Sequence, residues 1–166
     1  MRLGLSLVAL AVAAGGCSRT VPQGRDTAVV DREAHIWSAV DRNLDRIPQL
    51  TGDQIVIEAL ENRVMISSTA FPGWEISIAL EPPYIMETLG SSMVPLVSHS
   101  KVKALRVAWN QVRETRWSLL KPLRFKVSED KRWHNYAFNY LDPYEGSALG
   151  VRVDRLTLKP EVMGSW

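Results

Sequence analysis

The chain has few of the residues that build disulfide frameworks and no long apolar stretch. Cys17 is its only cysteine, so no disulfide can form within the chain and packing must supply the stability. After Cys17, proline, glycine or charged residues interrupt every apolar run. Because a spanning helix needs about 20 apolar residues, we expect none in this sequence.

The first seventeen residues are arranged like an export signal. Arg2 supplies a positive charge, and Leu3–Ala14 is an apolar stretch too short to span a bilayer. The segment Ala14–Cys17 (AGGC) resembles the lipobox of bacterial lipoproteins. That resemblance implies cleavage before Cys17 and the attachment of acyl chains to its sulfur and its amine. The alternative is cleavage after Ala13, which would release a soluble periplasmic protein.

These features divide the chain into three parts. Residues 1–16 are the predicted signal peptide, residues 17–24 the lipidated cysteine with a polar tether, and residues 25–166 a single globular domain. Ser18 follows the cysteine, which in similar lipoproteins accompanies passage to the outer membrane, so we expect the domain to face the periplasm. At about 3.3 Å per residue the tether reaches only roughly 25 Å, which keeps the domain near the bilayer.

Charge is unevenly distributed along the chain. Residues 18–100 contain six basic and eleven acidic side chains, residues 101–132 contain ten and three, and residues 133–166 contain three and four. The basic segment suits an anionic lipid or an acidic partner, and the alternative is that its charges are only solvated. The candidate contacts for an anionic partner are Lys101, Lys103, Arg106, Arg113, Arg116, Lys121, Arg124 and Lys126.

The periodicity of apolar residues predicts the helices. Apolar residues at helical spacing between Asp26 and Ile47 predict an amphipathic N-terminal helix. The segment 100–120 fits either a helix or a strand, and we favour a helix that ends before Pro122. Residues 84–89 are interpreted as one or two helical turns.

Alternating or β-branched runs predict the strands, and the fold class follows from them. The runs are Ile55–Leu60, Val64–Ser68, Trp74–Glu81, Leu123–Val127, Trp133–Leu141 and Leu149–Leu158. The first two form a hairpin, and a slip in alternation between Val153 and Leu156 predicts a bulge. We expect an α+β fold with an N-terminal amphipathic helix, a largely antiparallel sheet or sheets of about six strands, and one further helix in the middle.

Patterns that carry chemistry are absent or unspecific. The three histidines, His35, His99 and His134, lie on different predicted elements, so we expect no metal site. No cofactor fingerprint occurs, and we expect no cofactor. Ser98–Lys101 and Ser118–Lys121 both match the S-x-x-K pattern of penicillin-recognising serine enzymes, but the companion motifs are missing. We therefore name no catalytic residue, and an enzymatic activity has no support in the sequence.

Three functional hypotheses follow. The leading one is a structural or binding component of an envelope complex, in a secretion, conjugation or envelope-maintenance assembly, anchored to the membrane through Cys17. The second is a receptor for an anionic ligand or lipid, carried by residues 101–132. The third is a small hydrolase of envelope polymers. We expect a protein partner in the cell envelope and do not expect nucleic acid as a partner.

Overall fold

A computed structural model describes residues 24–90, 92, 94–115, 117–142 and 148–165. Cys17, most of the tether and Arg116 lie outside the described residues. Within those ranges the chain forms two helices and one antiparallel sheet of eight strands. The predicted α+β class, with a largely antiparallel sheet and a helix in the middle, is confirmed. The predicted number of about six strands is wrong.

The elements of the described chain follow a repeated order. Helix α1 (Gly24–Asp41) precedes β1 (Gln54–Ala59), β2 (Arg63–Ser68), β3 (Glu75–Ala79) and β4 (Met86–Leu89). Helix α2 (His99–Glu114) precedes β5 (Leu123–Glu129), β6 (Trp133–Tyr140), β7 (Ala148–Asp154) and β8 (Pro160–Ser165). The strand order is β4-β3-β2-β1-β5-β6-β7-β8. Two helix-plus-four-strand units therefore meet along β1 and β5, although the sequence shows no internal repeat.

The core lies between the helices and one face of the sheet. Because successive strand residues point to opposite faces, every second side chain is buried here, as Ile57 of β1 and its partner Leu123 of β5 are. Trp109 of α2 stands at the centre, with its ring centroid 4.9 Å from that of Trp37 in α1 and 6.2 Å from that of Phe138 in β6. The opposite face of the sheet carries the exposed and half-buried residues of the strands, and we call it the open face.

The segment 100–120, whose sequence fits either a helix or a strand, contains the helix α2, and the favoured prediction of a helix is confirmed. Its buried residues are Ala104, Leu105, Ala108, Trp109 and Val112, which form one helical stripe. Arg113 forms an ion pair with Asp41 of α1, and its guanidinium lies 5.0 Å from the ring centroid of Trp37. Neither helix in the described part of the chain has the length and apolar character needed to cross a membrane.

Residues 84–89 do not form the predicted helical turns. Met86–Leu89 is the strand β4, which pairs with β3 so that Met86 lies opposite Ile78. Gly90 ends the strand with φ +64, and a Cβ at that position would lie 2.7 Å from the carbonyl oxygen of Gly73. Pairing with β3 therefore overrides the local preference of a short segment, since strand propensity depends on context.

The predicted bulge between Val153 and Leu156 is also wrong, because this segment is the turn between β7 and β8. The carboxylate of Asp154 accepts hydrogen bonds from the backbone N–H groups of Leu156 (3.0 Å) and Thr157 (2.9 Å), which closes the turn. The register shift of this strand pair lies instead between Gly150 and Val151.

Candidate functional site at the hairpin edge

Large apolar side chains are exposed around the β3–β4 hairpin. Tyr84, Ile85 and Leu89 are 50%, 58% and 60% exposed, and Leu96 in the following segment is fully exposed. Isolated exposed apolar residues are ordinary, whereas a cluster of them marks an interaction site. We call residues 84–89 together with 94–97 the hairpin edge.

Cleft A lies between α1 and the β3–β4 hairpin and has a volume of about 430 Å³. Its hairpin side is formed by Ile78, Ala79, Leu80, Tyr84 and Met86, and its α1 side by His35, Ser38, Ala39, Arg42 and Asn43. Apolar side chains thus line one wall, and the exposed Arg42 places a cation at the rim of the other. Ligand pockets of about 300–1,000 Å³ commonly combine apolar walls with a few polar groups.

Cleft B adjoins the other end of β4 and has a volume of about 420 Å³. It is lined by Asp45, Arg46, Trp74, Thr88, Val94, Pro95, Leu96 and Val97. Thr88 Oγ1 is buried and has no hydrogen-bond partner among the described residues. Because Met86 and Thr88 are two residues apart on β4, they point to the same face, and each lines one cleft.

Tyr84, which lines cleft A, has an unfavourable backbone conformation. Its φ is +51, in the left-handed region that side chains other than glycine rarely adopt. Its backbone N–H donates a hydrogen bond to the carbonyl oxygen of Glu81 at 2.8 Å, which holds the turn. Strain of this kind costs on the order of 1–3 kcal/mol and concentrates at ligand-binding sites. The strained residue therefore coincides with the exposed apolar cluster.

A cluster of polar side chains lies beneath the N-terminal end of α2. Lys101 forms an ion pair with Glu129 and donates a hydrogen bond to the carbonyl oxygen of Gln49 at 3.2 Å. The Tyr136 hydroxyl donates to Gln49 Oε1 at 3.0 Å, and His134 Nδ1 lies 3.7 Å from Glu129 Oε2. Burial lowers the pKa of His134 against the opposing effect of Glu129, and burial raises the pKa of Tyr136. This buried polar cluster holds α2 on the sheet.

The S-x-x-K segment at the start of α2 does not form an activated serine. The Ser98 hydroxyl lies 3.1 Å from the Ser100 hydroxyl, while the Lys101 ammonium is engaged by Glu129 and Gln49. A lysine that is ion-paired in this way is a poor general base for a neighbouring hydroxyl. The small cleft beside Lys101, about 160 Å³, is lined mainly by apolar residues of the hairpin edge and the segment 48–50.

The predicted anionic-partner contacts do not form one surface. Lys103 and Arg106 are exposed on α2, on the helix side of the sheet. Arg124 and Lys126 alternate with the buried residues of β5 and therefore lie on the open face. Of the others, Lys101 and Arg113 are ion-paired, Lys121 lies with its ammonium 5.5 Å from the ring centroid of Tyr140, and Arg116 lies outside the described residues.

The open face carries an ordered cationic arrangement around Trp133. The guanidinium carbons of Arg132 and Arg152 lie 4.7 and 4.5 Å from the ring centroid of Trp133. Glu161 accepts two hydrogen bonds from Arg152 (2.7 and 3.0 Å), and Asp154 accepts one from Arg132 at 3.1 Å. The ring is therefore occupied by the protein's own cations, and each cation is held by a carboxylate.

The three histidines lie on different elements of the fold. His35 lines cleft A, His99 begins α2, and His134 is buried in β6. In the part of the chain that the structure describes, no three histidine, cysteine or carboxylate side chains are grouped in a way that could hold a metal ion.

No protein family, curated protein or solved structure was found to match the chain. The hairpin edge is also the region that the sequence interpretation missed, since 84–89 was interpreted as helical turns. The sequence signal for it is alternation. Ile85 and Leu89 lie two residues before and two residues after Glu87, so all three would share one face of an exposed strand.

Proposed function

We propose that this protein is a lipid-anchored binding module of the bacterial envelope that docks onto a protein partner through the hairpin edge. The observation that carries the proposal is the exposure of four large apolar side chains at the hairpin edge: Tyr84 at cleft A, Leu96 at cleft B, and Ile85 and Leu89 on the open face beside them. Covering exposed apolar surface is worth roughly 25 cal/mol per Å². The chemistry of the clefts suits an extended polypeptide segment with apolar side chains.

The anchor in this proposal is Cys17, through its resemblance to lipoprotein signals. Two or more acyl chains give a stable attachment, and a short tether would hold the domain close to the outer membrane on its periplasmic side. Replacing Cys17 with serine should abolish labelling by radioactive or alkyne-bearing fatty acids. Unchanged acyl labelling of the Cys17→Ser variant would refute the anchor.

The buried polar cluster favours a binding role over a hydrolytic one. Lys101, Glu129 and His134 are engaged with one another between α2 and the sheet, so they stabilise the packing of the fold. A general acid or base must instead reach a substrate at hydrogen-bond distance. Apolar residues make up most of the lining of clefts A and B, which suits recognition.

The test is site-specific photocrosslinking in living cells at native expression. A photoreactive residue at Leu96 should crosslink one envelope protein, and mapping should place the crosslink in an extended apolar segment of that partner. The matched control is Leu156, which is 95% exposed but lies in the β7–β8 turn, away from the hairpin edge. The proposal is wrong if both positions give the same products, or if position 96 gives none.

A further inference from the structure

We propose that the partner segment adds a strand to the free edge of β4, an inference that rests on the proposed docking function. The backbone N–H of Ala79 donates to the carbonyl oxygen of Ile85 at 2.9 Å, which makes these residues a hydrogen-bonded pair of the β3–β4 ladder. In an antiparallel ladder such pairs recur at every second residue. The peptide groups of Met86 and Thr88, which lie between such pairs, are therefore directed away from β3.

The two outer strands of the described sheet differ in how they are protected against pairing with a further strand. β8 begins with Pro160, which has no backbone N–H, and it pairs with β7 through a register shift. Proline and bulges are devices by which proteins prevent unwanted pairing at a sheet edge. β4 has neither device between Met86 and Leu89. The β4 edge, although short, thus lacks the two devices that protect β8.

The clefts are spaced for the side chains of an added strand. Met86 lines cleft A and Thr88 lines cleft B, and both face the helix side of the sheet. Successive same-face residues of a strand are about 7 Å apart, so an added strand would direct side chains i and i+2 into the two clefts. Recognition by strand addition works in this way, with backbone hydrogen bonds for affinity and pockets for alternate side chains.

The residue between those two side chains determines the charge preference of the site. It would lie beside Glu87, which is exposed on the open face and pairs directly with the uncharged Ser77 of β3. Opposite charges at directly paired positions stabilise a sheet, and like charges destabilise it. The structure therefore assigns to this edge a partner segment of the form apolar–basic–apolar, paired with β4 in the antiparallel sense of the other strands.

The experiment uses the full chain in nanodiscs and a synthetic peptide whose core is leucine–lysine–leucine. Hydrogen–deuterium exchange should show protection of residues 84–90 on peptide binding and none of residues 160–165. The lysine peptide should bind roughly two- to fivefold more tightly than one with leucine–glutamate–leucine. A peptide that is N-methylated at all three core residues should not bind, because it cannot donate backbone hydrogen bonds to β4 and its methyl groups would clash with that strand.

Charge reversal on the protein gives the decisive comparison. Glu87→Lys should invert the preference so that the glutamate peptide binds more tightly. Glu58→Lys is the matched control, since Glu58 is an exposed glutamate on the open face of β1, three strands from the β4 edge. That variant should leave the preference unchanged.

Three results would overturn strand addition. They are unprotected 84–90 amides at saturating peptide, a preference that Glu87→Lys does not change, and protection of 84–90 by self-association without peptide. If Leu96 still crosslinks its single partner in these cases, docking at the hairpin edge stands and only the strand pairing is wrong. Loss of the crosslink refutes the docking function itself.

Discussion

Trp37 and Trp109 bring the two helices into contact over the sheet, with their ring centroids 4.9 Å apart and an interplanar angle of 53°. Each tryptophan belongs to a different helix-plus-four-strand unit. The Arg113–Asp41 ion pair lies beside this contact. The two units are thus joined through their helices as well as through β1 and β5.

Replacing Trp109 with alanine should lower the free energy of unfolding by about 3–5 kcal/mol, because it removes a fully buried ring at the contact between helices and sheet. Chemical denaturation measures this change. Leu156→Ala, an exposed position, should stay within about 0.5 kcal/mol of the parent protein. A loss below about 1 kcal/mol for Trp109→Ala would contradict the central place of this residue in the core.

Breaking the Lys101–Glu129 ion pair from one side should destabilise the protein more than removing both partners. Lys101→Met leaves a partly buried carboxylate without its cation and should cost roughly 1–3 kcal/mol. The double variant with Glu129→Leu removes that unpaired charge and should recover part of the loss. A double-mutant cycle from denaturation curves checks this, and strictly additive single effects would show that the pair is not coupled.

Stability should fall on the acidic side of neutrality because of His134. Burial lowers the pKa of this imidazole, with Glu129 opposing the shift and Arg155 and Lys101 adding to it. The unfolded chain therefore takes up the proton first as the pH drops below about 6.5, and the free energy of unfolding decreases. Denaturation at pH 7 and pH 5 should show this loss. His134→Gln should show a smaller loss, and an identical pH dependence would exclude His134 as its source.

Asp154 should add stability that disappears only in strong acid. The Thr157 backbone N–H, the Arg132 guanidinium and the Leu156 backbone N–H lower the pKa of its carboxyl from 3.8 to about 2. Its contribution is therefore complete above about pH 3.8 and is lost as the pH falls through about 2. Thermal unfolding should place Asp154→Asn below the parent at pH 7, with the difference closing in that range. A gap that stays constant down to pH 2 would be inconsistent with this role.

Gly90→Ala should destabilise the end of β4. The added Cβ would lie 2.7 Å from the carbonyl oxygen of Gly73, in addition to the strain of a positive φ, and we expect a cost of about 2–3 kcal/mol. Gly52→Ala is the control, since its φ is +89 but no atom lies within 4 Å of the added Cβ. It should cost about 1 kcal/mol. Equal losses in denaturation experiments would show that steric contact at Gly73 is unimportant.

The sequence predicted the elements whose own residues carry a clear period. The first hairpin and the strand around Ile76 and Ile78 are confirmed because β-branched or alternating residues fill them. β4 and β8 were missed for different reasons. β4 is only four residues long and follows a strained turn at Tyr84, whereas β8 contains Pro160 and Gly164, which usually interrupt strands. In both, pairing with the neighbouring strand supplies what the local sequence lacks.

The candidate site could not be predicted because it depends on long-range packing. Cleft A exists only where Arg42, just after α1, and Met86 of β4 come to line the same cavity. The basic segment illustrates the same limit. Its charges are contiguous in sequence, but Lys103 on α2 and Lys126 on β5 lie on opposite sides of the sheet.

The meeting of β1 with β5 has a consequence for assembly. In the described sheet it is the one ladder between strands that are not consecutive in the sequence, and it pairs residues 54–57 with 123–126. Each helix-plus-four-strand unit otherwise forms its ladders internally. Two copies of the chain could therefore exchange whole units by opening this ladder, the contacts between the helices and the hydrogen bonds that Lys101 and Tyr136 make with Gln49, with every other strand pair intact. Domain swapping of this kind is in general a low-cost route to dimers.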